Sequence, residues 1–195
     1  MSRPLRPGLV TEGESDQDFL LPVIDRYLAA ELVRNRAADF DLLETVPSPR
    51  VKKHGKELFT EAARALGRRC HLVFVHADFS EAHEADALLP VLACAAVVLV
   101  PKRETESWML ADPAAFQRLR GARTDLLPRD PAAVEREPKP KALLARVVKP
   151  ARVSDPADYF GLLGEDISLQ VLGRVPAFAR WADDTKEALK GLGYL

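Results

Sequence analysis

Cysteine is nearly missing from this chain: Cys70 and Cys94 are the two in 195 residues, and both sit in apolar surroundings. That excludes a disulfide framework and a cysteine-rich zinc site, and leaves buried free thiols of a reducing compartment as the expectation. An excess of one charge sign is missing too. A formal net charge of −1 excludes a generally basic protein, so any contact with nucleic acid has to come from local patches. No apolar run is long enough to cross a membrane, and the longest, Leu88 to Val100, contains Pro90. Met1-Ser2-Arg3-Pro4-Leu5 carries no signal-peptide pattern, so a cytoplasmic location without a membrane partner is expected. A Walker A loop, a Rossmann glycine fingerprint and a Ser-His-Asp nucleophile elbow are likewise absent, and His54, His71 and His83 have no metal-ligand spacing.

What is there reads as an ordinary globular protein, 47% apolar and 29% charged, long enough to bury a proper core. The organising stretch is Gly8-Leu9-Val10-Thr11-Glu12-Gly13-Glu14-Ser15-Asp16. A short apolar strand stops at a carboxylate, a glycine allows a sharp turn, and Ser15 or Asp16 caps the helix that follows, from Asp16 to about Arg34. Phe19, Leu20, Val23, Ile24, Tyr27, Leu28 and Leu32 fall on one face of that helix, and Pro22 predicts a kink or a late restart. Asp39 to Val46 reads as a second strand, followed by the polar, basic loop Pro47 to Gly55. Lys56 to Leu66 reads as a helix with Leu58, Phe59, Ala62, Ala63 and Leu66 inward.

Leu72-Val73-Phe74-Val75 and Ala95 to Val100 are continuous apolar runs, as expected of strands buried on both faces of a parallel sheet, with a helix from Glu81 to Leu89 between them. Asp112-Pro113 has the chemistry of a helix start. After Arg120, prolines from Pro128 to Pro176 cut the chain into short elements. The predicted helices there are Lys141 to Val148, Pro156 to Leu163, Ile167 to Leu172 and Pro176 to Leu192. The expected architecture is an α/β core over residues 1–120, a parallel sheet flanked by helices, with a helical C-terminal appendage of the same domain over residues 121–195.

Each strong strand ends in acids: Glu12 with Glu14 and Asp16, then His76 with Asp78 and Glu81, then Glu104 with Glu106 and Asp112. Parallel strands all point one way, so these ends meet on one edge, where crowded carboxylates repel one another unless a cation sits among them. Hard oxygen donors suit Mg²⁺ or Mn²⁺, which polarises a phosphoryl oxygen and activates water while a free Glu moves protons. If the chain is extended at Glu104 and Glu106, both side chains share a face. If it is helical they lie about 200° apart and one faces the crevice, with Glu104 as cap and Glu106 inward. Trp108 is expected in the core, beside Met109 and Leu110. Basic residues gather at Arg50 to Lys56 and at Lys139 to Arg152, where they either hold phosphates or form solvated faces.

Glu12-Gly13 after a short strand, an acid after a later buried strand, and Glu104-Thr105-Glu106-Ser107-Trp108-Met109-Leu110-Ala111-Asp112 together resemble a family of uncharacterised TOPRIM-like proteins, over about residues 8 to 116. TOPRIM is the metal-binding fold shared by topoisomerases, DnaG-type primases and OLD-family nucleases. The resemblance implies a metal-dependent nuclease acting on nucleic acid, DNA over RNA, in which Glu12 is the general acid/base or metal-linked Glu and Asp78 is a metal ligand. Glu104, Glu106 and His76 complete the candidate metal set. It also implies the neighbourhood of an ATPase partner in prokaryotic defence or mobile-element systems. TOPRIM folds carry Asp-x-Asp after this strand. Here the register is His76-Ala77-Asp78 or Asp78-Phe79-Ser80, and one carboxylate is missing in either. A nitrogen ligand at His76 favours Mn²⁺. The alternatives are a non-catalytic interaction module and a small-molecule phosphohydrolase.

Overall fold

The structure, a computed structural model, describes residues 2–11, 13–35, 40–49, 56–77, 82–153 and 155–195. Its centre is a four-stranded parallel sheet. The strands are β2 (Pro7–Val10), β4 (Val46–Pro47), β5 (Leu72–His76) and β6 (Ala95–Leu99), in the spatial order β4-β2-β5-β6. β1 (Arg3–Leu5) and β3 (Phe40–Leu42) form a second, two-stranded parallel pair. Of this pair, β1 was not expected from the sequence, whereas β3 lies within the strand expected from Asp39 to Val46.

The expected strand from Asp39 to Val46 is found in two pieces, and the reason is a bulge. Two residues separate Leu5 from Gly8, whereas three separate their partners Leu42 and Val46. The extra residue breaks the ladder. Both sides of the break find other partners: the Thr45 N–H and hydroxyl donate to Asp25, and the Arg6 N–H donates to Nδ1 of His71 at 2.9 Å.

Side chains alternate across the central sheet as the pleat requires. Leu9, Leu72, Phe74, Val97 and Leu99 face one apolar layer; Val10, Val73, Val75 and Ala77 face the other. The second layer is covered by α2 (Lys56–Gly67) and α3 (Ala82–Leu88). On α2 the buried face is Ala62, Ala63 and Leu66, whereas Leu58, expected inward, is 57% exposed. Leu58 lies about 90° around the helix from the centre of that face, at the margin of the stripe.

The first layer is thicker. It is built from α1 (Glu14–Asn35), α4 (Glu106–Met109), α5 (Pro140–Val148), α6 (Phe160–Asp166), α7 (Leu169–Leu172) and α8 (Pro176–Gly191). Helix α1 starts ahead of Pro22 and continues through it, so the expected restart does not occur. Helix α6 packs against that stretch through Gly164, where a Cβ would overlap the Phe19 carbonyl and the Pro22 ring. Tyr27, Phe74, Trp108, Phe178 and Trp181 make an aromatic cluster; Phe74 to Trp181 is 5.5 Å and Trp108 to Phe178 is 5.1 Å between ring centres. The C-terminal helices therefore share one core with the sheet.

Candidate functional site

Strand order decides where a crevice opens. The chain leaves β2 toward β4 on one side and leaves β5 toward β6 on the other, so β2 and β5 flank the point where the connections diverge. Ligands of open parallel sheets bind beyond the carboxyl ends of such a pair. Those ends are Val10, followed by Thr11, and His76, followed by Ala77. Glu12 and Asp78 are the next acids along the chain, and both lie outside the described residues, as do Glu81 and Arg50 to Gly55.

Helix α1 starts at Glu14, which puts Ser15 and Asp16 in its first turn instead of before it. Asp16 folds back over Gly13, where a Cβ would collide with its carboxylate. A glycine at that position lets the acid lie across the turn at the mouth of β2. Thr11 is buried, and its hydroxyl donates to the Gly13 carbonyl at 3.0 Å, which holds the turn.

On the other flank, β6 delivers the segment from Pro101 to Asp112. Thr105 is the N-cap residue of α4, and its hydroxyl is 2.9 Å from Nε2 of His76 at the end of β5. Both residues are buried, so this bond ties the start of α4 to the carboxyl edge of the sheet. The other ring nitrogen of His76, Nδ1, is buried with no hydrogen-bond partner among the described residues.

The helical alternative holds for Glu106, whereas the N-cap of α4 is Thr105 and not the expected Glu104. Glu106 points inward in the first turn of α4 and is 5% exposed, while Glu104 accepts the Lys141 N–H at 3.3 Å, at the start of α5. Burial pushes the Glu106 carboxyl above its ordinary value; the negative charges of Asp16 and Glu104 act in the same direction, and a backbone hydrogen bond and Lys141 oppose them. The Lys141 ammonium lies 3.9 Å from the Glu106 carboxylate. Tyr159, also buried, has its hydroxyl pKa raised by burial and then by the charge of Glu106. Glu106 is thus close enough to Asp16 and to Glu104 to feel their charge.

Asp112, the third acid of its segment, does not join them. One oxygen accepts the Ala114 N–H and the other accepts the Ser168 N–H, each at 2.9 Å, so it caps two elements at once. Trp108 is fully buried in the aromatic cluster, as expected. Thr105 and Tyr159 were not singled out from the sequence. Thr105 had a signal in its place between the two glutamates; Tyr159, in a proline-broken region, had none.

Among the described residues no group of three His, Cys, Asp or Glu is placed to hold a metal ion. Among them, too, no helix is long and apolar enough to cross a membrane. The sequence matches no protein-family model, and comparison with curated proteins and with solved structures returned no match.

Proposed function

We propose that the chain is a TOPRIM-like, metal-dependent phosphodiesterase that cleaves nucleic acid, with its site in the crevice beyond β2 and β5. The observation that carries this reading is the buried Glu106, crowded by the charges of Asp16 and Glu104 and only loosely paired with Lys141. Carboxylates held together in this way favour a divalent cation. Nδ1 of His76, without a partner among the described residues, adds a nitrogen donor of the kind Mn²⁺ accepts. In this reading Glu12, Asp78, Glu106 and His76 hold the ion, which when bound polarises the phosphoryl oxygen and lowers the pKa of water. Glu104, engaged with the start of α5, orients that helix instead. Glu12 moves the proton. An ATPase partner in a defence or mobile-element setting belongs to the same proposal and rests on the resemblance alone.

The test is cleavage of labelled DNA and RNA with Mn²⁺ or Mg²⁺. Glu12→Gln and Asp78→Asn are each expected to lower the rate by about 10²-fold or more, the range for removing a proton-transfer group. Cleavage unchanged in both variants overturns the assignment. A second reading, an interaction module that keeps the fold without the chemistry, is favoured by one observation: His76 stands where a carboxylate is usual and is already bonded to Thr105. Calorimetry separates the two, since Mn²⁺ binding that is lost in Asp78→Asn counts against the module.

A further inference from the structure

The crevice leaves the outer face of α5 without a role. The helix buries Leu143, Leu144, Val147 and Val148 and turns Lys141, Ala142, Ala145 and Arg146 outward, with Lys149 exposed just beyond its end. From Lys139 to Arg152 every charged residue is basic, in a protein whose net charge is −1. We propose that this face, continued by Arg103, is a track for the phosphodiester backbone of a polynucleotide leading into the crevice.

Pairing, shape and attachment all support the track. Among the described residues, Arg103, Lys139, Arg146 and Lys149 are exposed and make no ion pair, whereas on α8 Lys186 pairs with Asp183 and Lys190 with Glu187. An unpaired cation has no carboxylate to give up when a phosphate arrives. Ala142 and Ala145 are exposed between the cations, so a backbone can approach the helix closely while the long side chains reach around it. Nine residues of helix rise about 13 Å, which spans about four phosphates of one duplex strand. The crevice end of the track is fixed by the bonds from Lys141 to Glu104 and Glu106.

Arg103 is placed by its backbone. Its φ of 75° lies in the left-handed region, which is unfavourable for a residue with a side chain. The strain is held in place by Ser107, whose hydroxyl bonds to the carbonyls on either side, Lys102 at 3.2 Å and Glu104 at 2.8 Å. That clamp sets Arg103 next to Glu104 at the rim of the crevice.

The track takes its direction from the nuclease reading, but its test does not depend on cleavage. Binding of a fluorescently labelled oligonucleotide is measured by anisotropy in EDTA across a salt series. The charge-reversal triple Lys139→Glu, Arg146→Glu, Lys149→Glu is expected to weaken binding by about 30-fold or more at low salt, and to reduce the slope of log K against log salt by about 2 to 3. The milder triple to Gln is expected to give a smaller loss in the same direction, which guards against a folding defect. Arg64→Glu, Arg68→Glu and Arg69→Glu, exposed residues at and just past the end of α2, make the same change in net charge and are expected to bind as the parent does. Binding by the wild type that is absent, insensitive to both triples, equally lost in the α2 control, or matched by inorganic phosphate or a mononucleotide overturns the track. Cleavage with unaltered binding in the triples removes the track and leaves the nuclease. Salt-dependent binding that the triples abolish, with no cleavage under any metal, does the reverse.

Discussion

Glu106 is where the proposed chemistry and the cost of folding meet in one side chain. Its carboxyl is buried beside two other acids, and burial, then Asp16 and Glu104, push it above its ordinary value of 4.5. The folded protein therefore holds this proton to higher pH than the unfolded chain does. Across the window from the ordinary value upward to the raised one, the native state binds more protons, so stability falls as pH rises. Glu106→Gln removes that slope while keeping the shape. In thermal melts between pH 4 and 8, the variant is expected to match the parent at the acid end and to exceed it in Tm by a growing margin toward neutrality. Parallel profiles would mean that the carboxyl is not strained in the fold. The same variant is expected to lose metal-dependent cleavage, because a site that gathers like charges is organised for a cation at the expense of stability. The inward direction of Glu106 was legible from its spacing to Glu104 once that stretch was taken as helical. The bond from Thr105 to His76 was not, because it joins residues from two strand ends that only the sheet brings together.

Helices α5 and α8 begin without a side-chain cap of their own, and acids from elsewhere serve them. Helix α5 has Lys139 at its N-cap and takes Glu104; α8 has Val175 and takes Glu135, whose buried carboxylate accepts the Ala177 N–H at 2.6 Å. Helix α7 is capped by Ser168, whose own N–H is held by Asp112. A charge-assisted bond of this kind contributes about 1.5 to 3 kcal/mol. Glu135→Ala is expected to lower stability by about 2 kcal/mol in urea melts, and Glu135→Gln, which keeps an acceptor oxygen, by less than half of that. Equal losses in the two variants would assign the effect to packing. These caps also explain what the sequence could and could not convey about the elements. Helices α1, α2, α5 and α8 and strands β5 and β6 announce themselves by periodicity or by unbroken apolar runs, since one face or two must be buried. A capping acid and a site acid look alike in a sequence, so Asp112 was grouped with Glu104 and Glu106 although it holds two backbones. The bulge that divides β3 from β4 was hidden too, because it depends on the number of residues in the paired strand.

At the scale of the molecule, the helical half and one face of the sheet share a single hydrophobic core. The aromatic cluster joins Tyr27 of α1, Phe74 of β5 and Trp108 of α4 to Phe178 and Trp181 of α8, with Tyr27 and Trp181 ring centres 4.8 Å apart. Tyr27 also donates its hydroxyl hydrogen to the Ala182 carbonyl, and Tyr194 donates to the Pro4 carbonyl within β1. The final segment thus touches the first strand, the central strand and the helix that follows the candidate site. Removing a single large aromatic side chain from a core costs about 3 to 5 kcal/mol, and α8 contributes two of them to a domain whose whole stability is on the order of 5 to 15 kcal/mol. A chain ended at Val175 is therefore expected to lose cooperative unfolding, lose its near-ultraviolet dichroism and bind a hydrophobic dye, even though every residue of the candidate site remains in it. A truncated chain that still melts cooperatively within a few degrees of the full one would make the C-terminal helix an addition to a self-sufficient sheet, and would free it to move relative to the crevice it now backs.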